Sequence, residues 1–344
     1  MKLIIHAPNV HQGGGKALLI PLLRAAGKQA AVTALVDDRL EVAEDLGRTV
    51  NIIRVTPTIL GRLAGEWRLR RLAQAPDTIL CFGNLPPLFR VKGRCVLFLQ
   101  NRYLIQSGDL RGFPLKVKLR LMVERLWLRL CSDHAETVLV QTRSMQQATA
   151  QALRRTVDVL ALFPELSWTQ GRINETDRGR TALYDFLYAA SGESHKNHLN
   201  LLEAWKRLAS EGIFPSLCLT LSEVDHPDLL RIVEQARVDH KLAIHNVPAR
   251  SWSEMQRLYE HSRALVFPST MESFGLPLLE ARHAGLSIVA AELDYVRDLV
   301  DPDEAFDPRS PQSIARAIRR FLQIPERPLT ILSSDAFVSR LLAV

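Results

Sequence analysis

The chain is poor in the features that define several protein classes. Its 344 residues include only four cysteines, and aromatic residues make up 6%. The cysteines are widely scattered, with no C-x-x-C pair and no histidine at ligand spacing: Cys81, Cys95, Cys131 and Cys218. This pattern argues against a disulfide-stapled scaffold or a cysteine zinc site, and it predicts reduced thiols in a cytoplasmic protein.

Long apolar runs are also missing. No uninterrupted apolar segment approaches the roughly 20 residues that a membrane-spanning helix needs. The apolar run within residues 1–8 is too short for a signal peptide. We therefore expect a cytoplasmic protein that reaches a membrane, if at all, only as a peripheral protein on its inner face.

The chain does have an ordinary globular composition, with an uneven charge. Hydrophobic residues make up 47% and charged residues 24%, which suits two domains that each bury a core. The net charge is +7, but residues 1–160 hold 24 lysines and arginines against 12 aspartates and glutamates, whereas the remainder is net −5. The basic half predicts an anionic partner, and because nucleic-acid-binding motifs are missing we expect a membrane surface rather than nucleic acid.

Short apolar segments alternate with helical patterns along the chain. Strands are predicted at residues 2–7, 29–36, 51–55, 78–82, 95–99, 137–141 and 157–162, and again at 185–190, 217–221, 243–246, 264–267 and 287–290. This alternation predicts two α/β domains, each a doubly wound parallel sheet with ligands at the carboxyl ends of its strands. The polar, aperiodic stretch between the two series places the boundaries at residues 1–165, a linker at 166–182, and residues 183–325. Residues 326–344 follow as a separate C-terminal segment.

The most informative stretch is residues 265–285. A strand leads through a turn into a helix that is predicted to open at Pro277 and to end at Gly285. The unpaired amides at the start of such a helix form an anion site. Glu272 and Glu280 bracket that site, and an anion cradle between two carboxylates suits a ligand with phosphates and hydroxyls, such as a nucleotide-sugar.

These residues match the E-x7-E signature of retaining GT-B glycosyltransferases. Glu272, Phe274, Gly275 and Glu280 fit its form E-S-F-G-x-x-x-x-E-A, and the match extends over residues 268–290. The chain thus resembles glycosyltransferase family 4, the glycosyl transferases group 1. The resemblance implies a GT-B fold: two Rossmann-like doubly wound parallel-sheet domains that face a central cleft, the first binding the acceptor and the second binding the donor. It also implies that residues 326–344 return to the first domain.

The resemblance also implies roles for particular residues. Glu272 orients the donor sugar, Glu280 binds the ribose, and the donor is also held by Ser273, Phe274, Gly275 and Leu276. Lys196, in an H-K-N motif, fits the diphosphate-binding lysine of the family and neutralises the leaving group. Ser191 stands where many members have an arginine, which leaves one cation to be supplied by His195 or by an arginine from elsewhere.

A glycine run and several loop residues are further candidates for contacts with the donor and the acceptor. The run Gly13–Lys16 fits neither a P-loop nor a dinucleotide fingerprint, which argues against a nicotinamide dehydrogenase. In the GT-B context Gly14 and Gly15 are donor contacts, and the backbone near Asn246 and Val247 binds the base. Four side chains that follow predicted strands are candidates for binding the acceptor or, equally, for holding loops together: Asn84, Gln100, Asn101 and Arg102.

No metal is predicted as a cofactor. The only D-x-D string, Asp301-Pro-Asp303, lies in a turn-rich stretch, and the pair His195 and His198 lacks a third ligand. Lys196 and helix N-termini are expected to carry the phosphate charge instead.

Residues 111–130 form a leucine-rich basic helix. Its predicted apolar stripe comprises Leu115, Leu119, Met122, Leu126 and Leu130, and a second stripe comprises Val117, Leu121 and Leu128. Basic charge beside exposed leucines suits attachment to an anionic membrane surface, while an ordinary packed helix with a cationic outer face fits the same pattern.

Together these observations predict a metal-independent retaining glycosyltransferase. It would move a sugar from a nucleotide-diphosphate-sugar to a glycan or lipid-linked acceptor in bacterial cell-surface polysaccharide synthesis, such as that of lipopolysaccharide, O-antigen or capsule. The alternatives are a nucleotide-sugar 2-epimerase of the same architecture and a non-catalytic nucleotide-sugar-binding protein.

Overall fold

A computed structural model describes residues 2–106, 115–163, 182–248 and 251–326 of the chain. Its first seven strands form one parallel sheet in the order β3-β2-β1-β4-β5-β6-β7. These strands are β1 Leu3–Ala7, β2 Val32–Asp37, β3 Val50–Val55, β4 Thr78–Cys81, β5 Arg94–Phe98, β6 Thr137–Val140 and β7 Asp158–Val159. Since the order reverses between β1 and β4, the sheet is doubly wound.

The remaining strands form a second parallel sheet with the same kind of reversal. Its order is β10-β9-β8-β11-β12-β13, so the reversal lies between β8 and β11. The strands are β8 Tyr184–Tyr188, β9 Leu217–Leu219, β10 Ile244–Asn246, β11 Ser262–Phe267, β12 Ser287–Ala291 and β13 Glu304–Phe306. The predicted fold class, two Rossmann-like doubly wound parallel sheets, is confirmed.

Eleven α-helices connect these strands within the described residues. They are α1 Gly13–Gln29, α2 Glu44–Gly47, α3 Ile59–Leu72, α4 Leu115–Cys131, α5 Arg143–Leu153, α6 His198–Ser210, α7 Pro227–Asp239, α8 Trp252–Glu260, α9 Leu276–His283, α10 Asp294–Arg297 and α11 Pro311–Phe321. Short 3-10 helices occur at Arg102–Leu104, Ser132–His134 and Ser194–Lys196. No helix of the described ranges is long and apolar enough to cross a bilayer.

Both faces of the first sheet are covered, because successive strand residues point to opposite sides. Ile4 packs in a core with Leu69 of α3 and Leu121 of α4, whereas its neighbour Ile5 packs in another core with Leu19 of α1. Thus α3 and α4 share one face of the sheet, and α1 lies on the other.

Several predicted strand limits differ from the structure, and one strand was not predicted. The strand predicted at residues 157–162 is reduced to Asp158–Val159, which pair with Leu139 and Val140 of β6. The strand predicted at residues 29–36 begins only at Val32, because α1 continues through Gln29 and the Ala30 amide still bonds the Ala26 carbonyl. Strand β13 was not predicted; it is three residues long and gains its order by pairing with β12. The predicted domain limits stay a prediction, since the linker at 166–182 and the segment at 326–344 lie almost wholly outside the described residues.

A buried carboxyl group lies between α3 and β1. Glu66 is 4% exposed; its Oε1 lies 3.4 Å from Nε2 of His6, which is also 4% exposed, and its Oε2 accepts the Leu88 amide at 2.8 Å. Burial raises the pKa of Glu66 to about 7 and lowers the pKa of His6 to about 3. Desolvation therefore favours the neutral form of both groups.

We predict that Glu66→Gln stabilises the protein above neutral pH. The pKa of Glu66 is about 7 in the folded protein and has the ordinary value of 4.5 in the unfolded chain. The protonated carboxyl group therefore contributes stability that is fully present below pH 4.5 and is lost as the pH rises through 7. Glutamine does not titrate. The free energy of unfolding of the variant, relative to wild type, should therefore rise by on the order of 1–3 kcal/mol between about pH 5 and pH 8.

Urea unfolding over a pH series measures this difference. The matched control is Glu203→Gln, which removes an exposed carboxylate on α6. It should leave the difference from wild type flat with pH, and the same flat result for Glu66→Gln would contradict the prediction.

Candidate functional site

The reversal points of the two sheets open onto one cleft. Its cavity volume is about 980 Å³. Loops after β1 and β4 of the first sheet line one wall, and loops after β8 and β11 of the second sheet line the other. Ligands of doubly wound sheets bind outside the carboxyl ends of the strands at such points. The structure therefore brings the strand-end loops of both sheets together around one cavity.

A helix N-terminus points its amides toward this cleft. Gly275 precedes α9 with φ of +88°, which favours glycine, and a Cβ there would lie 3.2 Å from Leu278 Cδ1. The helix begins at Leu276, one residue before the predicted start, and Gly285 follows its end with φ of +69°. The first amides of α9 have no acceptor within the helix, so they can bind an anion.

Lys196 and Glu272 meet beside this helix. Lys196 ends the 3-10 helix after β8, and its Nζ donates to Glu272 Oε1 at 2.6 Å. The two side chains are 17% and 12% exposed, so the pair is only partly solvated. The Thr270 amide donates to the His195 carbonyl at 2.8 Å and ties the two loops together. A cation and a carboxylate that lie 76 residues apart in sequence thus share one position in the cleft.

Glu280 lines the far end of the same wall. It lies on α9, and its Oε2 accepts a hydrogen bond from the Tyr259 hydroxyl at 2.7 Å. Burial raises the pKa of Glu280, and the bond from Tyr259 acts in the opposite direction. The hydroxyl fixes the orientation of a carboxylate that faces the cleft.

The first sheet contributes a glycine-rich helix start to the other wall. Gly14 and Gly15 lie in the first turn of α1 and line the cleft. A Cβ on Gly14 would lie 3.5 Å from Leu276 Cδ1 across the cleft, and a Cβ on Gly15 would lie 3.1 Å from Val10 Cγ1. A side chain at Gly15 would crowd Val10 on the same wall, and Gly14 lies close to Leu276 on the opposite wall.

Two of the four acceptor candidates line the cleft, namely Asn84 and Gln100. The side chain of Asn84 accepts the Gln100 amide at 2.5 Å, and Gln100 Nε2 donates to the Phe82 carbonyl. The Asn101 side chain accepts the Tyr103 amide and starts the 3-10 helix. These side chains hold the loops together.

Arg102 and Tyr103 cross from the first wall to the second. The Arg102 amide donates to Ser273 Oγ at 3.0 Å, and its guanidinium donates to the Glu272 carbonyl at 3.3 Å. The Tyr103 hydroxyl lies 2.9 Å from His195 Nδ1. Burial lowers the pKa of His195 and raises that of Tyr103 to about 12. Residues of the first wall therefore contact His195, next to Lys196, and both Glu272 and Ser273.

The base-binding candidates lie outside the cleft lining. The side-chain amide of Asn246 exchanges two hydrogen bonds with the backbone of Leu221, and the Val247 amide bonds the Leu219 carbonyl. Both residues thus shape the edge of the second sheet.

Several cleft residues were not predicted. They include Glu193, Thr220, Ser222, Asp225 and His226, together with Gln141 and Met255. Thr220 and Ser222 lie at the carboxyl end of the predicted strand at 217–221 and just beyond it, so the strand-end rule applied there would have found them. Burial acts to raise the pKa of Glu193. The hydrogen bond from the Ser191 hydroxyl and the charge of the nearby Lys196 outweigh burial, so the pKa of Glu193 is lowered.

The two carboxylates of the D-x-D string have structural partners. Asp303 pairs with the backbone of Ile288, and Asp301 with Arg297. His198 is buried against the Tyr188 ring, and burial lowers its pKa to about 3. Within the described part of the chain, no group of three or more His, Cys, Asp or Glu is placed to hold a metal ion. Independence from metal stays a prediction.

Comparison with known proteins finds similarity in both sequence and fold. The family model described as Glycosyl transferases group 1 matches residues 176–331. Over 146 residues the chain is 27% identical to the serotype-specific mannosyltransferase WbdA of Escherichia coli; this covers 41% of the chain but only 18% of that protein. It is 24% identical over 322 residues to the O-antigen chain mannosyltransferase RfbU of Salmonella typhimurium, covering 89% and 86% of the two chains.

Solved structures share the whole architecture. The crystal structure of Anabaena Alr3699/HepE in complex with UDP superposes with a TM-score of 0.69 at 17% identity, covering 94% of this chain and 90% of that one. At this level of identity the likeness concerns the fold.

The Lys196–Glu272 pair should show strong energetic coupling. Lys196→Met alone leaves a partly buried carboxylate without its cation and should destabilise the protein by about 1–3 kcal/mol. Adding Glu272→Gln removes the stranded charge, so the double variant should be less destabilised than the sum of the singles by about 1–2 kcal/mol. Urea unfolding of the four proteins measures the coupling.

The more exposed pair Lys206–Glu203 on α6 provides the control. Its cycle, with Lys206→Met and Glu203→Gln, should give less than about 0.5 kcal/mol. Equal coupling in the two pairs would contradict the burial argument.

Proposed function

We propose that the protein is a metal-independent, retaining glycosyltransferase, from the premise that the family model described as Glycosyl transferases group 1 matches its residues 176–331. It moves a sugar from a nucleotide-diphosphate-sugar to a glycan or lipid-linked acceptor in bacterial cell-surface polysaccharide synthesis. One observation carries the proposal: the anion-binding start of α9, Lys196, Glu272 and Glu280 surround a single cleft between the two sheets.

The diphosphate of the donor is assigned to the start of α9. Amides of Phe274, Gly275 and Leu276 and the ammonium of Lys196 are the positive groups of this wall. Negative charge grows on the leaving diphosphate as the sugar bond breaks, and donors placed in advance stabilise it. Gly14 and Gly15 let backbone amides approach the same phosphates from the opposite wall.

Glu280 and Glu272 are assigned to the two sugars of the donor. A carboxylate accepts hydrogen bonds at both oxygens, which suits the ribose diol at Glu280, already oriented by Tyr259. Glu272 is assigned to hydroxyls of the transferred sugar. Because Glu272 and Lys196 are paired in the unliganded cleft, a bound donor would place its phosphate against Lys196 and its sugar against Glu272.

Retention requires attack on the face from which the leaving group departs. The acceptor oxygen bonds to the anomeric carbon, the bond from that carbon to the diphosphate breaks, and the acceptor proton passes to the departing phosphate oxygen. No protein nucleophile takes part. Glu272 and Lys196 act by orienting the sugar and holding the diphosphate, and no metal is assigned because Lys196 and the amides supply the positive charge.

The first wall is assigned to the acceptor. Asn84 and Gln100 line it, and Asn101 and Arg102 border it. The names of the relatives describe mannosyltransferases, two of them acting on O-antigen chains. A mannosyl donor and a bacterial surface glycan are therefore the first substrates to assay.

We predict that one class of nucleotide-diphosphate-sugar raises the melting temperature, with or without EDTA. A donor at ~100 Kd adds about 2.7 kcal/mol to stability. UDP-, GDP-, ADP- and TDP-sugars form the panel, and CMP-sugars, which have one phosphate, should shift the melt less. Lys196→Met should raise the Kd of the nucleotide-sugar at least about ten-fold, because a charge-assisted hydrogen bond to the phosphate is lost. Lys206→Met on α6 should leave the Kd unchanged. A shift that needs a divalent cation would contradict the metal-free assignment.

We predict that Glu272→Gln separates binding from transfer. The variant keeps Lys196 and the amides of α9, so nucleoside diphosphate binding should persist, whereas transfer should fall about 100-fold or more because the sugar is no longer oriented. NMR of the product should show the anomeric configuration of the donor. The exposed Glu234→Gln on α7 is the matched control and should retain full transfer.

The rival functions give different results in this assay. Release of a free epimer by the wild type would favour the epimerase, and nucleotide-sugar binding without any turnover would favour a binding protein. An inverted product would contradict retention.

A further inference from the structure

The outer surface of the first sheet's helices is unusually apolar. Of the large hydrophobic residues that are exposed in the described chain, more than half lie on α3 or α4. On α4 these are Leu115, Leu119, Met122, Val123, Leu126 and Leu130, which are 57–81% exposed. The predicted main stripe of this helix therefore faces outward, and the second stripe, with Leu121 and Leu128, packs in the core.

The exposed residues of α4 form a single band. At 100° per residue, the six positions lie within an arc of about 100° on the helix surface. Lys118 and Arg129 border the band on one side, and Lys116 and Arg120 border it on the other. A band of leucines between two rows of cations is the pattern of a helix that lies in the interface of a bilayer.

Helix α3 extends the band. Ile59 and Leu60 are 82% and 79% exposed, and Leu63 and Trp67 are also exposed. The guanidinium of Arg70 lies 5.7 Å from the centre of the Trp67 ring. The sequence pattern did not single out this helix; its exposed residues were revealed only once the sheet placed it beside α4.

The two helices are neighbours on one face of the sheet. Their buried residues Leu69, Leu121 and Leu128 belong to the same core. Trp67 packs on Phe89, and Trp127 Nε1 donates to the Pro86 carbonyl, so both helices contact the loop at residues 86–89. We call their exposed residues, with the flanking cations, the α3–α4 surface.

We propose that the α3–α4 surface binds an anionic lipid bilayer, with the leucines and Trp67 inserted among the lipids and the flanking cations against the headgroups. Together α3 and α4 carry nine basic and two acidic residues. Anionic lipid attracts such a surface, and each basic residue near it adds to the binding.

The same charge disfavours a second copy of this chain as the occupant. Two α3–α4 surfaces packed against each other would bring net positive charge against net positive charge, which opposes association. The positive charge of the chain is concentrated in the same half, because residues 1–160 are net +12 and the remainder is net −5. Only the first half is drawn to an anionic surface.

The α3–α4 surface is linked to the cleft by one arginine. Arg125 of α4 donates to the carbonyls of Tyr103 and Gln106. Tyr103 belongs to the segment that contacts His195 and Glu272 across the cleft. A bilayer at α4 would therefore lie beside the wall assigned to the acceptor, a point that rests on the proposed function, whereas lipid binding itself does not.

Co-sedimentation of the full chain with vesicles tests the proposal. The protein should sediment with mixed phosphatidylcholine–phosphatidylglycerol vesicles, remain in solution with phosphatidylcholine alone, and dissociate as salt is raised. Leu119→Ser/Met122→Ser/Leu126→Ser should weaken binding at least about ten-fold, because three apolar side chains that insert among the lipids are lost. Its melting temperature should stay at the wild-type value, since these side chains are exposed.

The matched control removes exposed apolar side chains elsewhere. Leu199→Ser/Val224→Ser/Val238→Ser alters the second sheet's helices and loop, where exposures are 56–89%. This variant should bind vesicles like the wild type. Failure of the wild type to bind anionic vesicles, or full binding by the Leu119 triple variant, would overturn the proposal.

Sedimentation equilibrium separates lipid binding from self-association. We expect the wild-type chain to be a monomer. If it forms a dimer that the Leu119 triple variant dissociates, the surface binds a second copy of the chain and the proposal is overturned. No nucleotide-sugar is present in either experiment, so their failure does not depend on the proposed activity.

Discussion

The site depends on where two parallel sheets reverse their strand order. Each reversal leaves a gap at the carboxyl ends of two central strands, and loops entering helices at such gaps carry unpaired amides. In this chain the reversals at β1/β4 and β8/β11 open onto the same cleft, so the glycine-rich start of α1 faces the start of α9. The residues to which we assign donor binding lie in the loops after β1, β8 and β11 or on the helices α1 and α9 that these loops enter.

Lys196 has a charged partner in the cleft, and Glu280 has a neutral one. Lys196 is held by Glu272, and Glu280 is held by Tyr259. A partly buried cation without a counter-charge would be costly, and the pairing avoids that cost in the unliganded protein. In the proposed function, a bound diphosphate would take the place of Glu272 at Lys196. The same carboxylate is then available to sugar hydroxyls, so a single exchange prepares both groups for their assigned roles.

The sequence predicted local structure well and long-range contacts poorly. The order of strands and helices followed from alternating apolar segments, and the positions of Gly275, Glu272 and Glu280 followed from a motif. In contrast, the Lys196–Glu272 pair joins residues 76 apart, and the contact of Tyr103 with His195 joins residues 92 apart. Only the tertiary fold brings these residues together. Likewise, helical periodicity gave α4 two apolar stripes, and only the packing of Leu121 and Leu128 on the sheet decides which one is exposed.

The most direct test of the central claim is a crystal structure with a nucleoside diphosphate. Our account predicts the diphosphate at the start of α9, within hydrogen-bond distance of the Gly275 and Leu276 amides and of Lys196 Nζ, with the ribose against Glu280 and the Lys196–Glu272 contact loosened. Its contradiction would be a nucleotide bound away from α9, or bound there while Lys196 stays paired with Glu272 alone. In that case the cleft would not be the donor site that its geometry suggests.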